Sequence, residues 1–248
     1  MKCVVTGGSG FIGGFIVEEL AKEGHEVIIF DVARPEFKLP DSVEFVEGNT
    51  LYPELLNKVI TEDTGEVYDL AGVLGTSELM FDNSRAVDFN VRGAVNVLDI
   101  CKNKGVKRIF HPTKPNDWLN TYSITKFAAE QFALMYQKNF NMDIAILKWF
   151  NAYGPRQHLY PIRKVIPLFV IQAVNNLPIE VFGDGEQTAD LIYAEDIAKI
   201  AIKATRECGR LGKVLDVGTG IPLKVNALAK KIIELCGSKS EIIHLPMR

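Results

Sequence analysis

The 248-residue sequence predicts an α/β fold built on a doubly wound parallel sheet, together with a small α/β lobe. Short β-rich runs alternate with helical patterns over the first two thirds of the chain, as they do when helices cover both faces of a sheet. A glycine-rich turn directly follows the first predicted strand. The run from residue 143 to 149 is almost wholly apolar, which is typical of a strand buried on both faces.

The predicted elements of the core follow one another in strand–helix order. The strands are Lys2–Thr6, Glu26–Asp31, Val43–Glu47, Val67–Leu70, Arg108–Phe110 and Asp143–Trp149, and the helices are Phe11–Lys22, Tyr52–Ile60, Arg85–Asn103 and Thr121–Asn139. The later elements are helices at Val165–Asn175, Ala194–Thr205 and Val225–Cys236 and strands at Ile179–Phe182 and Val214–Val217. We expect one unit over residues 1–248, with a core at about 1–150 and 190–220 and a substrate lobe at about 151–189 and 221–248.

The composition argues against several classes of partner. The chain has 28 basic and 31 acidic residues, a net charge of −3 and no long basic run, so we expect no nucleic acid and no anionic membrane partner. No apolar run approaches the roughly 18 residues that cross a bilayer, and no signal peptide precedes the first strand. The four cysteines and four histidines are scattered, which predicts reduced thiols, no metal site and a cytoplasmic location.

The N-terminal turn Thr6-Gly-Gly-Ser-Gly-Phe-Ile-Gly13 predicts a dinucleotide site. Gly7, Gly10 and Gly13 follow a strand and open a helix, and Phe11 and Ile12 are the first helical residues. Glycines let the backbone approach a pyrophosphate, and the helix N-terminus supplies N–H donors. Asp31 closes the second strand, where its carboxylate would accept hydrogen bonds from the adenosine ribose and repel a 2′-phosphate, so NAD is favoured over NADP. Arg34 nearby would instead stack on adenine or reach a phosphate.

The segment Tyr122-Ser-Ile-Thr-Lys126 places a phenol and an ammonium one helical turn apart. A phenol with a pKa near 10 is a poor base at neutral pH, and a neighbouring ammonium stabilises its phenolate. The pair therefore predicts a proton acceptor whose pKa has been lowered. The same lysine would reach a ribose hydroxyl of a bound cofactor.

The glycine turn and the Tyr122/Lys126 pair together resemble the extended short-chain dehydrogenase/reductase superfamily, in its NAD-dependent nucleotide-sugar epimerase/dehydratase branch. This resemblance implies a Rossmann-type core, NAD as cofactor and a nucleotide-diphosphate sugar as substrate. It implies that Tyr122 takes the proton of a sugar hydroxyl, that hydride leaves carbon 4, and that Lys126 holds the nicotinamide ribose. It also implies a homodimer formed by helices 85–103 and 121–139, although their apolar residues could instead pack within one chain.

Further contacts follow from the resemblance. Implied cofactor contacts are Asn49, Thr50, Leu70, Ala71, Gly72, Asn90 and Phe150, and implied substrate contacts are Thr76, Asn151, Arg156, Val181, Phe182 and Gln187. Asp69 departs from the family pattern. Ala189 stands where the family has an arginine on the diphosphate, and Arg156, Arg163, Lys164 and Arg248 are candidate replacements.

Two polar residues have alternative interpretations. Thr113 replaces the family's substrate-binding serine or is a plain loop threonine, and Glu78 is an acid/base group or a solvated carboxylate. The shortened segment before Tyr122 lacks the Thr-Asp-Glu triplet of 4,6-dehydratases, which favours a 4-epimerase. A dehydratase or decarboxylase is the nearest alternative, and a non-catalytic dinucleotide-binding protein is the alternative from another class. Family chains continue beyond a segment like Pro246-Met-Arg248, so the chain is either a natural short form or incomplete.

Overall fold

The computed structural model describes residues 1–75, 77–115, 118–160 and 162–247. The chain forms two compact units. Unit 1 contains Met1–Trp149 and Ala194–Val217, and unit 2 contains Phe150–Tyr193 and Gly218–Arg248. The predicted α/β class is confirmed by the parallel sheet of unit 1.

The strands of the described residues are β1 Lys2–Thr6, β2 Glu26–Asp31, β3 Val43–Glu47, β4 Thr64–Asp69, β5 Arg108–Thr113, β6 Asp143–Trp149, β7 Asn151–Tyr153, β8 Ile179–Phe182, β9 Thr188–Tyr193, β10 Val214–Val217, β11 Pro222–Lys224 and β12 Ile242–Leu245. The helices are α1 Phe11–Lys22, α2 Pro53–Val59, α3 Asn83–Val87, α4 Gly93–Lys104, α5 Thr121–Phe140, α6 Val165–Val174, α7 Ala194–Glu207 and α8 Val225–Cys236. A π-helical turn, Asp88–Arg92, joins α3 to α4.

Unit 1 is built on a seven-stranded sheet in the order β3-β2-β1-β4-β5-β6-β10. All neighbouring strands are parallel. The order reverses direction between β1 and β4, and ligands of doubly wound sheets bind at this switch point, beyond the carboxyl ends of the strands. The ends of β1, β4 and β5 are therefore where a cofactor site is expected.

The main core of unit 1 lies between the sheet and helices α2, α4 and α5. It is built from buried aliphatic and aromatic residues of the strands and of the inner helix faces, including Val4, Phe30, Val67, Leu98, Ile109 and Ile144. Helices α1 and α7 pack against each other and against strands β1, β2, β5 and β6 of the same sheet. Runs such as Cys3–Thr6 are buried without alternation because helices cover both faces.

The predicted helix Arg85–Asn103 is wrong in detail, because the structure begins at Asn83 and widens into the π-helical turn. Asn90 in this turn forms hydrogen bonds with the backbone of Val73, which lies in the loop after β4. Gly93, at the start of α4, approaches Thr50 so closely that a Cβ would lie 2.6 Å from the threonine hydroxyl. Single π-helical turns are frequent at functional sites.

Strand β5 runs three residues beyond its predicted end, and this extension changes the site. His111, Pro112 and Thr113 pair with Ile146, Leu147 and Lys148 of β6. Their side chains are buried, so the segment is sheet interior and not a loop.

Unit 2 contains a three-stranded sheet in the order β11-β9-β7 and a parallel pair of β8 with β12. Helices α6 and α8 cover a small core around Phe169, Val181 and Ile232. Strands β7, β9, β11 and β12 were not predicted, because they have only three to six residues and little apolar alternation. Among the helices of the described residues, none is long and apolar enough to cross a membrane.

Candidate active site

The glycine turn between β1 and α1 is held by its own backbone. Gly7 has a positive φ of 69°, and a Cβ there would lie 2.7 Å from the backbone nitrogen of Ala71. A Cβ on Gly13 would overlap the carbonyl oxygen of Gly7. Helix α1 then begins at Phe11 with Gly10 as its N-cap, with no side-chain cap and no acidic residue in its first turn. The first N–H groups of the helix, including that of Ile12, are thus oriented to receive an anion, which fits a pyrophosphate.

Asp31 at the end of β2 accepts hydrogen bonds from the N–H of Ser9 (3.0 Å) and of Ala33 (3.4 Å). Burial raises the pKa of this carboxyl, and the backbone N–H groups oppose that rise. The carboxylate beside the glycine turn fits a ribose diol. The guanidinium of Arg34 lies 5.0 Å from the ring centroid of Phe45, so its stacking partner is a protein ring.

Asn49 and Thr50, two predicted cofactor contacts after β3, make hydrogen bonds within the protein. The side-chain oxygen of Asn49 accepts the N–H of Leu51 at 2.9 Å. Thr50 is only 4% exposed, and its carbonyl oxygen accepts from the amide of Asn96 at 2.8 Å. The Thr50 side chain thus packs inside the protein, and its contact with a cofactor stays a prediction.

The segment after β4 is tied to β1 and to the π-helical turn. The N–H of Leu70 donates to the carbonyl oxygen of Thr6 (3.0 Å), and that of Ala71 donates to the Thr6 hydroxyl (3.2 Å). Gly72 faces Asn90, where a Cβ would lie 2.8 Å from the amide oxygen of Asn90. Backbone rather than side chains is thus presented at this strand end.

Asn90 uses its whole amide within the protein. Its Oδ1 accepts the N–H of Val73 at 2.8 Å, and its Nδ2 donates to the Val73 carbonyl at 2.9 Å and to the Thr125 hydroxyl at 3.1 Å. These bonds occupy the groups that a cofactor contact would need. Asn90 therefore tethers the loop after β4 to helix α5.

Helix α5 carries the Tyr122/Lys126 pair at its N-terminal end. Asn120 caps the helix by accepting the N–H of Ser123 at 2.9 Å. Both Tyr122 and Lys126 are partly buried and lie one turn apart. Asn90 bonds Thr125, between them, so the loop after β4 fixes the position of this turn.

The pKa values of the pair differ from the sequence expectation. Burial raises the pKa of Tyr122 to about 12, whereas a lowered value was expected from the neighbouring ammonium. Burial also lowers the pKa of Lys126 to about 8, although the carboxylates of Asp69 and Glu130 oppose this change. Burial thus favours the neutral phenol. A bound cofactor with a positive nicotinamide ring would supply the missing charge.

Thr113 lies in β5, so its interpretation as a loop residue is wrong. It is 4% exposed, and its hydroxyl donates to Oε2 of Glu130 at 2.9 Å. The Lys148 ammonium lies 3.8 Å from the same carboxylate oxygen. Because the hydroxyl hydrogen is committed, Thr113 would accept from a sugar hydroxyl but not donate to it.

Sequence reasoning missed Lys114, which follows Thr113 directly. Its ammonium donates to the Ser123 hydroxyl at 2.7 Å and lies 5.2 Å from the ring centroid of Tyr122. The ring centroid of Trp118 is 5.4 Å from the same nitrogen. A basic residue at the end of a strand in a predicted α/β sheet was the available signal.

Other predicted residues near this strand edge are less informative. Glu78 is exposed in a turn after β4. Thr76 lies outside the described residues, and so does Arg248. Among the residues that the structure describes, no group of three or more histidine, cysteine or acidic side chains is placed to hold a metal ion.

In unit 2, the predicted substrate residues mainly contact their own unit. Asn151 donates to the carbonyl oxygen of Asp190 at 3.2 Å, and Gln187 donates to that of Phe182 at 2.8 Å. The Val181 side chain is fully buried in the small core, and its contact with a substrate stays a prediction. Phe150 is 37% exposed.

Ala189, which stands where the family has an arginine, lies in β9. Ala189 pairs with Leu223 of β11, and no cation replaces the arginine at that register position. Arg156 has a positive φ of 67°, and Lys164 is the N-cap of α6, next to Arg163. These three remain candidates for a diphosphate contact.

Comparison with known proteins identifies the family. Residues 3–218 match the model of the NAD dependent epimerase/dehydratase family. The chain belongs to this family. Membership confirms the predicted family and its cofactor, NAD, which the glycine turn and Asp31 fit.

Individual relatives differ in activity. The chain is 28% identical to a UDP-N-acetyl-α-D-glucosaminuronate decarboxylase of Bacillus cytotoxicus, over 99% of this chain and 83% of that protein. It is 25% identical to a UDP-glucose 4-epimerase of Mycolicibacterium smegmatis, over 100% of this chain and 87% of that protein. The solved structure of an epimerase of Methanothermobacter thermautotrophicus has a TM-score of 0.92 and 26% identity, covering 100% of this chain and 80% of that one. Members of this family that act on nucleotide sugars are thus similar to the chain throughout.

Proposed function

We propose that this protein is an NAD-dependent nucleotide-sugar 4-epimerase. The observation that carries the proposal is the Tyr122/Lys126 pair on α5, in a chain of this family. Epimerisation through a 4-keto sugar needs one proton-transfer group, whereas dehydration needs a further acid. The carboxylates whose charges act on Lys126 already hold hydrogen bonds within the protein, Asp69 with Thr6 and His111, and Glu130 with Thr113.

In the proposed reaction, the Tyr122 phenolate accepts the proton of the sugar 4-hydroxyl as the bond from carbon 4 to hydrogen breaks. NAD, when bound, would supply the acceptor for that hydride and the source of the hydride that returns to carbon 4. After the keto sugar has turned, Tyr122 gives the proton back to the oxygen on carbon 4. Lys126 holds the cofactor ribose and contributes positive charge beside the phenol. Atoms and electrons balance without an external reductant.

Turnover of a sugar panel tests this function. The purified protein is incubated with UDP-, GDP-, CDP- and dTDP-sugars, with and without added NAD, and the products are read by proton NMR. We expect a product of unchanged mass with inverted carbon 4, and a loss of about 10²–10⁴-fold in rate for Tyr122→Phe. Tyr136→Phe is the matched control, because this tyrosine of α5 donates to Asp99 instead. If no sugar turns over in protein that binds NAD, the non-catalytic alternative replaces this proposal.

Lys114 supports a second candidate, decarboxylation of a nucleotide hexuronic acid. Its ammonium lies beside Tyr122, and the carboxylate of a hexuronic acid is attached to the carbon next to carbon 4. After oxidation at carbon 4, the bond to that carboxylate breaks, carbon dioxide leaves, and the electron pair forms an enolate that is then protonated. Release of carbon dioxide from a UDP-uronate would favour this candidate. Lys114→Met should then raise KM for the uronate, whereas Lys102→Met, which also lies over aromatic rings, should not.

We also propose a homodimer through helices α3 and α5. Val87, Ile124 and Phe127 are each at least half exposed, and Phe132 is 38% exposed. Ile124, Phe127 and Phe132 lie on α5 and Val87 lies on α3, which packs against it, so these exposed apolar side chains form a patch that a second copy of the chain would cover. Light scattering after size exclusion should give twice the chain mass of 27.6 kDa for the wild type. Phe127→Asp should give a monomer, and a monomeric wild type would reject the dimer.

A further inference from the structure

His111 and Asp69 form a buried pair at the carboxyl ends of β5 and β4. Their side chains are 1–2% exposed, and Nδ1 of His111 lies 3.1 Å from Oδ2 of Asp69. An ionised carboxylate only accepts hydrogen bonds, so Nδ1 carries the hydrogen of the ring. Nε2 of His111 is buried and makes no hydrogen bond with the residues that the structure describes. Within that part of the chain, the carboxylate of Asp69 is therefore the group that holds the ring by a hydrogen bond.

The other oxygen of Asp69 contacts β1. Asp69 Oδ1 accepts the hydroxyl hydrogen of Thr6 at 2.8 Å, and the two residues are paired in the register of β1 with β4. A hydroxyl has one hydrogen, so the Thr6 oxygen acts towards its other neighbours only as an acceptor. It accepts the backbone N–H of Ala71 at 3.2 Å. Asp69 thus determines which way the Thr6 hydroxyl points, and with it the bond to the Ala71 amide.

The backbone of Leu70 and Ala71 is in contact with the glycine turn. A Cβ on Gly7 would lie 2.7 Å from the nitrogen of Ala71 and 2.8 Å from the carbonyl oxygen of Leu70. The N–H of Leu70 itself donates to the Thr6 carbonyl at 3.0 Å. Closely packed segments transmit a displacement to each other. A change at the Thr6 hydroxyl should therefore reach both backbone segments that are expected to receive the cofactor.

We propose that Asp69 and His111 are positioning residues for NAD, because they orient the Thr6 hydroxyl so that it accepts the Ala71 N–H. Both side chains are buried, so they act on the cofactor through Thr6 and the backbone and not by contact. His111 contributes by giving Oδ2 of Asp69 a donor, which leaves Oδ1 for Thr6. The inference rests on the predicted contacts of the Leu70–Ala71 backbone with NAD, but it does not depend on which sugar is turned over.

The first test compares Asp69→Leu with the wild type by hydrogen exchange at the Ala71 amide and by calorimetric binding of NAD. Without the carboxylate the Thr6 hydroxyl loses its acceptor, so the Ala71 amide should exchange about tenfold faster and NAD affinity should fall several-fold. His111→Leu should change both quantities in the same direction but less, because Asp69 keeps its bond to Thr6. Unchanged exchange and unchanged affinity in a folded Asp69→Leu protein would overturn the proposal.

Thr64→Val is the matched control, because it also removes a buried polar group from β4. The Thr64 hydroxyl accepts the N–H of Thr61 at 3.0 Å, at the opposite end of that strand. This variant should lower the free energy of unfolding, while the exchange of the Ala71 amide and the affinity for NAD stay at their wild-type values. If Thr64→Val weakens NAD binding as much as Asp69→Leu does, the effect of Asp69 is a general loss of stability and the proposal is wrong.

NMR of the imidazole nitrogens is the second readout, and it decides the matter if Asp69→Leu does not fold. The ring hydrogen should be on Nδ1 of His111 in the wild type, and a hydrogen on Nε2 there would overturn the proposal. Asp69→Asn keeps one acceptor oxygen for Thr6 and turns its NH₂ group towards the ring, so the ring hydrogen should move to Nε2 while NAD affinity stays near that of the wild type. A hydrogen that stays on Nδ1 in Asp69→Asn, together with unchanged Ala71 exchange, would contradict the role of Asp69.

None of these measurements requires turnover. An inactive protein that shows the expected changes in Ala71 exchange and NAD affinity would reject the 4-epimerase and retain this inference.

Discussion

Replacement of Asn90 by alanine tests how the loop after β4 is connected to the helix that carries Tyr122 and Lys126. The variant loses hydrogen bonds of 2.8, 2.9 and 3.1 Å and leaves the backbone groups of Val73 without their partners. Each such bond contributes about 1 kcal/mol, and alanine regains at most about 0.7 kcal/mol of helix propensity. The free energy of unfolding should therefore fall by about 2–4 kcal/mol.

The assay combines urea denaturation with hydrogen exchange at the Val73 amide. The urea midpoint should fall while the slope of the transition stays the same, and the Val73 amide should exchange faster. NAD affinity should fall as well, because Thr125 lies between Tyr122 and Lys126 on α5.

Asn96→Ala is the matched control for Asn90→Ala. Asn96 lies on α4, and among the described residues its side chain makes one hydrogen bond, 2.8 Å long, to the carbonyl of Thr50. Its replacement should lower the free energy of unfolding by only about 0.5–1 kcal/mol. If both variants show the same midpoint, or if the Val73 amide exchanges at the wild-type rate in Asn90→Ala, Asn90 is not the tether described above.

Three other predictions follow from named contacts. Gly13→Ala should abolish NAD binding in calorimetry because its methyl would overlap a carbonyl oxygen of the turn, whereas Gly10→Ala, with a 3.2 Å approach, should retain more affinity. Glu66→Ala should lower the free energy of unfolding by about 3–5 kcal/mol, because its fully buried carboxylate accepts hydrogen bonds from the Arg206 guanidinium and the Tyr68 phenol. Glu207→Ala, which loses only an exposed ion pair with Lys203, should change the free energy of unfolding by under about 1 kcal/mol. Burial lowers the pKa of His111 below its usual 6.5, so the stability it confers is present above about pH 6.5 and is lost as the pH falls. Urea titrations over a pH series should therefore show that the free energy of unfolding falls more steeply with acid in the wild type than in His111→Gln. Parallel curves would contradict the lowered pKa of His111.

Sequence periodicity predicted the elements whose pattern is repeated over many residues. Phe11–Lys22 and Val225–Cys236 were predicted with the bounds that the structure has, because apolar residues at helical spacing mark a face over three turns. The short strands β7 and β11 have three residues each and are defined by pairing with β9, which no local pattern encodes. The π-helical turn was also missed, and its Asn90 bonds Val73, which lies 17 residues earlier in the chain.

The candidate site was predicted as motifs but not as a network. The spacing of Tyr122 and Lys126 needs only one helix, and the Gly7–Gly13 turn needs only one strand–helix junction. The pairing of His111 with Asp69 depends on the register of two strands that are far apart in the sequence. Glu130 was not considered, because nothing in α5 itself indicates that it meets Thr113.

We expect the interleaving of the two units along the chain to affect the order in which the strands of the large sheet pair. Strand β10 pairs with β6 across the whole of Phe150–Tyr193, which belongs to unit 2. Residues 150–213 separate the two strands, and closing an unfolded loop of roughly 64 residues costs about 4 kcal/mol of chain entropy. Pairing of β7 with β9 brings Asn151 to Leu191 and so shortens that loop before β10 arrives. The last strand pair of unit 1 should therefore form late, and its rate should depend on whether the inserted segment has already folded.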